Sequence, residues 1–328
     1  VKAIYINEFG NDLDVSFTDV ADIPEPAADE IRVRVHAAGL NRADLLQIRG
    51  LYPPPEGIDP RIPGLEYAGM VEAVGSNVKK FTCGGRVMGI TPGGSFAEYV
   101  NVHAETAMPI PDTLSFSEAA AIPEAFITAH DAVFVQGGLK KGETLLIHAV
   151  GSGVGLAALQ MAVANGVRTI GTSRTADKLE RCREFGLGHA IALPEGPRFA
   201  GKVMSATGGN GVDVILDLVG AAYLDENLRS LALKGRLMLV GLTAGRKAEF
   251  DMGLALARRL TIKGTVLRSR STEEKIEATG RFADEMLPRF ETGILRANVD
   301  RVFAAADAKD ALKYLASNRS FGKLVLEF

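Results

Sequence analysis

The segment Ala149-Val-Gly-Ser-Gly-Val-Gly155 constrains the fold of this chain more than any other. It follows Glu143–Ala149, an apolar run rich in β-formers, and it opens Leu156–Val163, whose apolar residues recur at helical spacing. A strand, a glycine-rich turn and a helix in that order make an anion cradle. Small residues let the backbone approach a pyrophosphate, and the helix N-terminus supplies N–H groups and a favourable dipole. Gly151, Gly153 and Gly155 give the room, with Val154 between the last two, and Ser152 offers a hydroxyl donor to a phosphate oxygen. The strict Gly-x-Gly-x-x-Gly spacing is absent, because Leu156 stands where its third glycine would fall. The position between strand and helix is what gives the turn its meaning.

The flanking pattern extends the same reading. Strand-like runs recur at Arg168–Gly171, Ala190–Leu193, Val212–Leu218, Arg236–Val240 and Thr261–Val266, with helical stretches at Ala176–Phe185, Arg198–Ala206 and Tyr223–Leu233 between them. This alternation predicts right-handed βαβ units and an α/β, doubly wound parallel sheet, the Rossmann arrangement. Residues 1–123 read differently. Short apolar runs such as Ile31–Val35 and Gly69–Val74 sit between turn signals at Pro24–Pro26, Pro53–Pro55, Gly84–Gly85 and Pro92–Gly94, a barrel-like β-rich pattern. Glu273–Phe290 predicts one amphipathic helix, and Lys323–Phe328 a closing strand that returns to the first domain. The expected organisation is a dinucleotide-binding domain over 124–269 and a β-rich domain from 1–123 and 270–328.

The tip of the second strand selects the dinucleotide. About 20 residues after the glycines an Asp or Glu would bond the ribose hydroxyls of NAD. Here the strand ends in Gly171-Thr-Ser-Arg174, with Lys178 one helical turn further on. Ser173 supplies a hydroxyl, Arg174 a planar donor fork and Lys178 a point charge, a set suited to a 2′-phosphate and hence to NADPH. Asp177 falls where a helix-start acid belongs.

Several function classes are excluded. A catalytic zinc needs three protein ligands, and none of His36, His103, His130, His148 and His189 pairs with a cysteine at ligand spacing, so no metal is expected. His148 reads as a satisfied core residue rather than a base. Gly151-Ser-Gly-Val-Gly is not a Gly-x-Ser-x-Gly nucleophile elbow. With 37 basic and 40 acidic residues the net charge is −3, and no basic-aromatic stripe points to nucleic acid. No run of about 18 apolar residues points to a membrane. The opening Val-Lys-Ala-Ile-Tyr lacks the layout of a signal peptide, and Cys83 and Cys182 are too far apart for a disulfide framework, so a reducing cytoplasm is expected.

Ala38-Gly-Leu-Asn-Arg-Ala-Asp-Leu45, Pro63-Gly-Leu-Glu-Tyr-Ala-Gly69 and Gly94-Ser-Phe-Ala-Glu-Tyr-Val100 resemble the medium-chain dehydrogenase/reductase superfamily and, within it, the quinone oxidoreductases. Ala119-Ala-Ala-Ile-Pro-Glu-Ala125, Leu267-Arg-Ser-Arg270 and Gly322-Lys-Leu-Val-Leu326 resemble the tumour-suppressor-inducible branch and its bacterial relatives. The resemblance covers nearly the whole chain and implies that the β-rich domain is GroES-like. In zinc-dependent relatives a metal-binding Cys falls at the Asn41–Arg42 segment and a metal-binding His at Leu65, so the resemblance also implies a zinc-free site. It implies that Asn41 approaches the nicotinamide ribose and the substrate, and that Tyr52 lines a quinone site. It places Thr128, Gly241, Leu242, Leu267, Phe321 and Lys323 in segments that surround the cofactor. Three positions depart from the pattern. Gly85 replaces an Asp and leaves Arg86 in need of another partner, Leu193 stands where relatives have a Tyr near the 2′-phosphate end, and Ser152 replaces a middle glycine.

The function this implies is zinc-independent, NADPH-dependent reduction of small quinones by a homodimer or homotetramer. An NADPH-dependent alkenal or enone double-bond reductase, and a non-enzymatic NADPH-binding protein, are the alternatives.

Overall fold

The computed structural model describes residues 1–328. The chain divides into one unit of Val1–Ile127 with Leu267–Phe328, and a second of Thr128–Val266. In the first, β1 (Lys2–Ile6) and β2 (Val15–Asp19) form an antiparallel ribbon. β3 (Glu30–Leu40), β4 (Glu66–Val74), β5 (Arg86–Ile90), β6 (Tyr99–His103) and β7 (Ala107–Pro109) follow. Alternation explains β3: Ile31, Val33 and Val35 are buried while Arg32 and Arg34 are not, a period of two that commits one face to the core. Each such side chain contributes about 1.5–3 kcal/mol by leaving water. From Ala37 to Leu40 every residue is buried, and β3 leads to a partly buried Asn41.

The second unit holds six strands: β8 (Thr144–Ile147), β9 (Arg168–Ser173), β10 (His189–Ala192), β11 (Val212–Asp217), β12 (Leu231–Leu239) and β13 (Thr261–Gly264). All pair in parallel, in the order β10-β9-β8-β11-β12-β13. Counted within the unit this is the 3-2-1-4-5-6 order of a doubly wound dinucleotide fold, with its switch point between β8 and β11. β8 is buried along its whole length, as a central parallel strand covered on both faces must be. Leu146, Ile170, Ile191, Ile215 and Leu237 from five strands meet Phe199 and Val203 in one core. The chain then returns to the first unit, where β14 (Val299–Ala304) and β15 (Lys323–Glu327) complete a seven-stranded sheet by antiparallel pairing of β15 with β3.

Two expectations are corrected. The helix over Tyr223–Leu233 ends at Ser230, and Leu231–Leu233 open β12. The spacing of Leu224, Leu228 and Leu231 mimics a helix, but Leu231 pairs with Val212, and Lys234 then takes a left-handed φ of 62° at a register shift. The helix over Glu273–Phe290 is two, Thr272–Glu285 and Pro288–Glu291, because Pro288 has no N–H to continue the first. No helix is long and apolar enough to cross a membrane.

Candidate functional site

The glycine-rich turn lies at the carboxyl end of β8. Ala149 holds a left-handed φ of 48°, and its carbonyl accepts the Ser152 N–H at 2.9 Å, which closes the turn. Ser152 is the N-cap of the helix Gly153–Ala164, and its Oγ accepts the Gly155 N–H at 3.1 Å. That leaves the Ser152 hydroxyl proton free to donate outward. The Gly153 and Val154 N–H groups, the other donors of the first turn, find no acceptor in the chain. A Cβ on Gly155 would lie 2.6–2.8 Å from the Ala149 and Val150 backbone, so this residue, one position before the strict motif, provides the close helix–strand approach. Gly151 is buried, while Ser152, Gly153 and Val154 are partly exposed. Two unpaired amides, a hydroxyl and a helix dipole fit a dinucleotide pyrophosphate.

Ser173 closes β9 and accepts the Thr175 N–H on Oγ at 3.2 Å, again with its own proton free. Arg174 is exposed and forms no ion pair, and Lys178 lies in the first turn of the helix Ala176–Arg183 beside Asp177. No acid stands at the strand tip itself. Leu193 is buried in the core of this unit, and Tyr223, whose phenol is raised in pKa by burial against the opposing charge of Arg174, packs on Phe199 with ring centroids 5.2 Å apart. Gly241 and Leu242 follow the end of β12. The Gly241 N–H donates to the Asp217 carbonyl, and Leu242 is exposed. Thr128 is partly exposed on the helix Pro123–His130.

Beneath these loops runs a buried relay. Asp217 accepts from the Val219 and Gly220 N–H groups and from the Asn227 amide. Because a carboxylate only accepts, the Asn227 NH₂ faces it and Oδ1 faces His148 Nε2 at 2.6 Å. His148 is therefore the Nε2–H tautomer, with Nδ1 accepting from the Thr172 hydroxyl at 2.9 Å. Burial lowers its pKa, so the ring is neutral and structural, as read from the sequence.

The first unit holds a second polar cluster. Lys323 is buried, and its Nζ donates to Glu66 Oε1 at 2.5 Å, Asn41 Oδ1 at 2.7 Å and the Leu40 carbonyl at 2.7 Å. Asn41 Nδ2 donates to the same Glu66 oxygen at 2.8 Å, and Glu66 Oε2 accepts the Glu124 N–H at 2.8 Å. Asp44 accepts the Asn41 N–H at 2.6 Å, and burial pushes its pKa up to about 7. Arg268 clamps three segments, donating to the Pro92 carbonyl, the Tyr52 carbonyl and Gln47 Oε1, and its guanidinium lies 4.9 Å from the Tyr52 ring centroid. Tyr52 is half-buried, and its hydroxyl, raised in pKa by burial, takes no partner from the chain. Asn41 and Lys323, both expected near a cofactor, thus have their side-chain polar atoms committed inside the protein. Leu267 and Phe321 belong to the same unit, and both are buried.

The structure brings Asn41 and Lys323 together. It collects Gly151, Ser152, Gly153 and Val154 at one turn, and Ser173, Arg174 and Lys178 at one strand tip. Sequence reasoning missed Asp44, Glu66, Glu124 and Arg268 as a cluster, although each lies inside a segment that carries the family resemblance. Arg86, without its usual Asp, donates to the Leu114 carbonyl and lies over the Phe116 ring. No three His, Cys, Asp or Glu side chains are grouped to hold a metal ion.

Residues 27–112 match the alcohol dehydrogenase GroES-like domain profile, and residues 153–283 match the zinc-binding dehydrogenase profile. Over 310 residues the chain is 35% identical to the quinone oxidoreductase of Pseudomonas aeruginosa, an alignment that covers 92% of each protein. The chain belongs to the medium-chain dehydrogenase/reductase superfamily. It is also similar to the pikromycin polyketide synthase component PikAII of Streptomyces venezuelae, 33% identical over 318 residues, but the matched stretch is 92% of this chain and only 8% of that synthase. Among solved structures in the superfamily, Escherichia coli quinone oxidoreductase complexed with NADPH superposes with a TM-score of 0.90 at 28% identity over the whole of both chains. The CurK enoyl reductase does so with a TM-score of 0.88 at 26% identity, covering 99% of this chain and 98% of that one. The α/β fold with a parallel Rossmann sheet and a GroES-like unit is that of the superfamily.

Proposed function

We propose that this chain is an NADPH-dependent quinone oxidoreductase that works without zinc and reduces small ortho-quinones in the cytoplasm. The observation that carries the reading is the strand tip of β9: a serine hydroxyl, an unpaired arginine and a lysine, with no acid, beside a helix N-terminus that has two free N–H groups. When bound, the nicotinamide cofactor supplies the hydride. The residues of this chain supply the rest. Gly153 and Val154 N–H groups and the Ser152 hydroxyl hold the diphosphate, and Arg174, Lys178 and Ser173 hold the 2′-phosphate. Within the second unit, Thr128, Gly241 and Leu242 are further residues offered to the cofactor, and within the first, Asn41 and Lys323 act as positioning residues that hold one another and Glu66. Tyr52 offers an aromatic wall to a flat acceptor. The zinc-free half is supported by the residues at the relatives' metal positions, where Asn41 and Leu65 stand. A quinone takes hydride without strong Lewis-acid help.

A second reading, reduction of an enone or alkenal double bond, is favoured by the likeness to CurK enoyl reductase. Side-by-side turnover of 1,2-naphthoquinone and a 2-alkenal with NADPH separates the two. The proposal expects the quinone to have the larger kcat/KM, and the reverse order would favour the double-bond reductase.

The reading includes self-association through the second unit. β13 is an edge strand paired only with β12, all four of its residues are exposed, and Met252, Leu256, Ile262 and Val266 expose apolar side chains around it. An open, apolar strand edge is a template for a second copy. Light scattering is expected to give a dimer or tetramer, and Leu256→Glu with Ile262→Lys is expected to give the monomer. A wild-type monomer at micromolar concentration would contradict it.

A further inference from the structure

In the buried cluster of the first unit every charged side chain but one is hydrogen-bonded within the chain. Lys323, Glu66, Asp44 and Arg268 are satisfied as described, and Lys275 Nζ donates to the Arg270 carbonyl at 2.7 Å. The exception is Glu124. Its backbone N–H is held by Glu66, which fixes the first turn of the helix Pro123–His130, but its carboxyl oxygens take no hydrogen bond from the chain. The residue keeps partial solvent access. Its charged neighbours act against one another: Glu66 and Asp44 disfavour its ionised form, and Lys323 and Arg268 favour it. Tyr52, the proposed acceptor wall, and Lys275 feel the same carboxyl. Burial, then the Glu66 carboxylate, dominate and push the Glu124 pKa up to about 8. A carboxyl without an internal partner, near an equally unpartnered Tyr52 hydroxyl, has its proton available to something that is not protein.

We propose that Glu124 is a catalytic residue, the proton donor to the reduced acceptor. This rests on the reading that the chain reduces a quinone or an enone with a reduced nicotinamide dinucleotide. When bound, that dinucleotide would supply the hydride, and the acceptor that gained it would be an oxyanion, the phenolate of a quinol or the enolate of an enone. The Glu124 O–H bond then breaks, an O–H bond forms on the phenolate oxygen or a C–H bond on the enolate carbon, and the electron pair stays on the carboxylate. Water returns the proton to Glu124. A carboxylic acid with a pKa near the working pH is suited to this transfer, because it is populated in the acid form and is still a competent donor.

The test uses the full-length protein as wild type, Glu124→Gln and Glu124→Asp. Glu124→Gln keeps size and removes the proton; Glu124→Asp keeps the acid. Wild-type-minus-Gln infrared difference spectra of the protein alone read the protonated carboxyl directly. The band is expected to disappear with a midpoint near pH 8, as the raised pKa demands. With 1,2-naphthoquinone, Glu124→Gln is expected to lose about 10²-fold in kcat, to lose the fall in rate above about pH 8, and to bind NADPH by fluorescence titration as tightly as wild type. Glu124→Asp is expected to recover part of the rate. Glu124→Gln activity within about threefold of wild type, or a carboxyl already ionised at about pH 6, overturns the donor role. A wild type that oxidises NADPH with neither quinone nor alkenal overturns the functional reading and the donor role with it, whereas an active wild type with an equally active Gln variant overturns the donor role alone.

Discussion

Lys323→Met is expected to destabilise the protein by about 3–5 kcal/mol, the cost of leaving a buried carboxylate without its cation. Glu66 is fully buried, and the Lys323 ammonium is the one cation hydrogen-bonded to it. Removing that ammonium leaves the Asn41 amide and the Glu124 N–H as donors, which satisfy geometry but not charge. The loss spreads, because the same Nζ ties the Leu40 carbonyl and the Asn41 side chain to β15. Urea unfolding monitored by circular dichroism measures the effect. The double variant Lys323→Met with Glu66→Leu is expected to recover part of it, since an apolar pair of similar volume replaces a buried ion pair at little cost. Destabilisation below about 1 kcal/mol in the single variant would mean that Glu66 is not held as a buried anion.

Arg174→Ala with Lys178→Ala is expected to weaken NADPH binding by roughly 10- to 100-fold and to leave NADH binding within about threefold. A charge-assisted hydrogen bond contributes about 1.5–3 kcal/mol, reduced here by solvent exposure, and each 1.4 kcal/mol is tenfold. The asymmetry between the dinucleotides is the informative part. On the proposed reading the amides of Gly153 and Val154 and the Ser152 hydroxyl, at the N-terminus of one helix, would serve the diphosphate common to both, whereas the β9 tip would serve only the 2′-phosphate. Equal losses for both would show that the two cations act as a general positive field. Fluorescence titration at fixed salt measures both constants, because exposed charges are screened.

Much of the fold was legible because its signals are local. The glycine turn, the apolar runs and the helical spacing between them lie within short windows, and the parallel order follows from their alternation. The helix break at Pro288 was equally local, and the missing N–H of proline explains it. Leu231 was misread because a leucine at helical spacing also suits a buried strand, and pairing with Val212 decides between them. The nucleotide turn and the β9 tip were legible as candidate sites for the same reason as the fold. The charge cluster was not. Asp44, Glu66, Glu124, Arg268 and Lys323 come from distant segments, and it takes antiparallel pairing of β15 with β3 and of β3 with β4 to bring Lys323 to Glu66. Periodicity carries no information about such a meeting. The family resemblance marked the segments and placed Asn41 and Lys323 near the cofactor; the structure adds that their side-chain polar atoms bond Glu66 and each other.

The most direct measurement compares initial rates of NADPH and NADH oxidation by the purified chain with 1,2-naphthoquinone, each with and without a metal chelator. The account predicts quinone-dependent oxidation, a clear preference for NADPH and no effect of the chelator. Preference for NADH would contradict the reading of Ser173, Arg174 and Lys178, and loss of activity with the chelator would contradict a zinc-independent site.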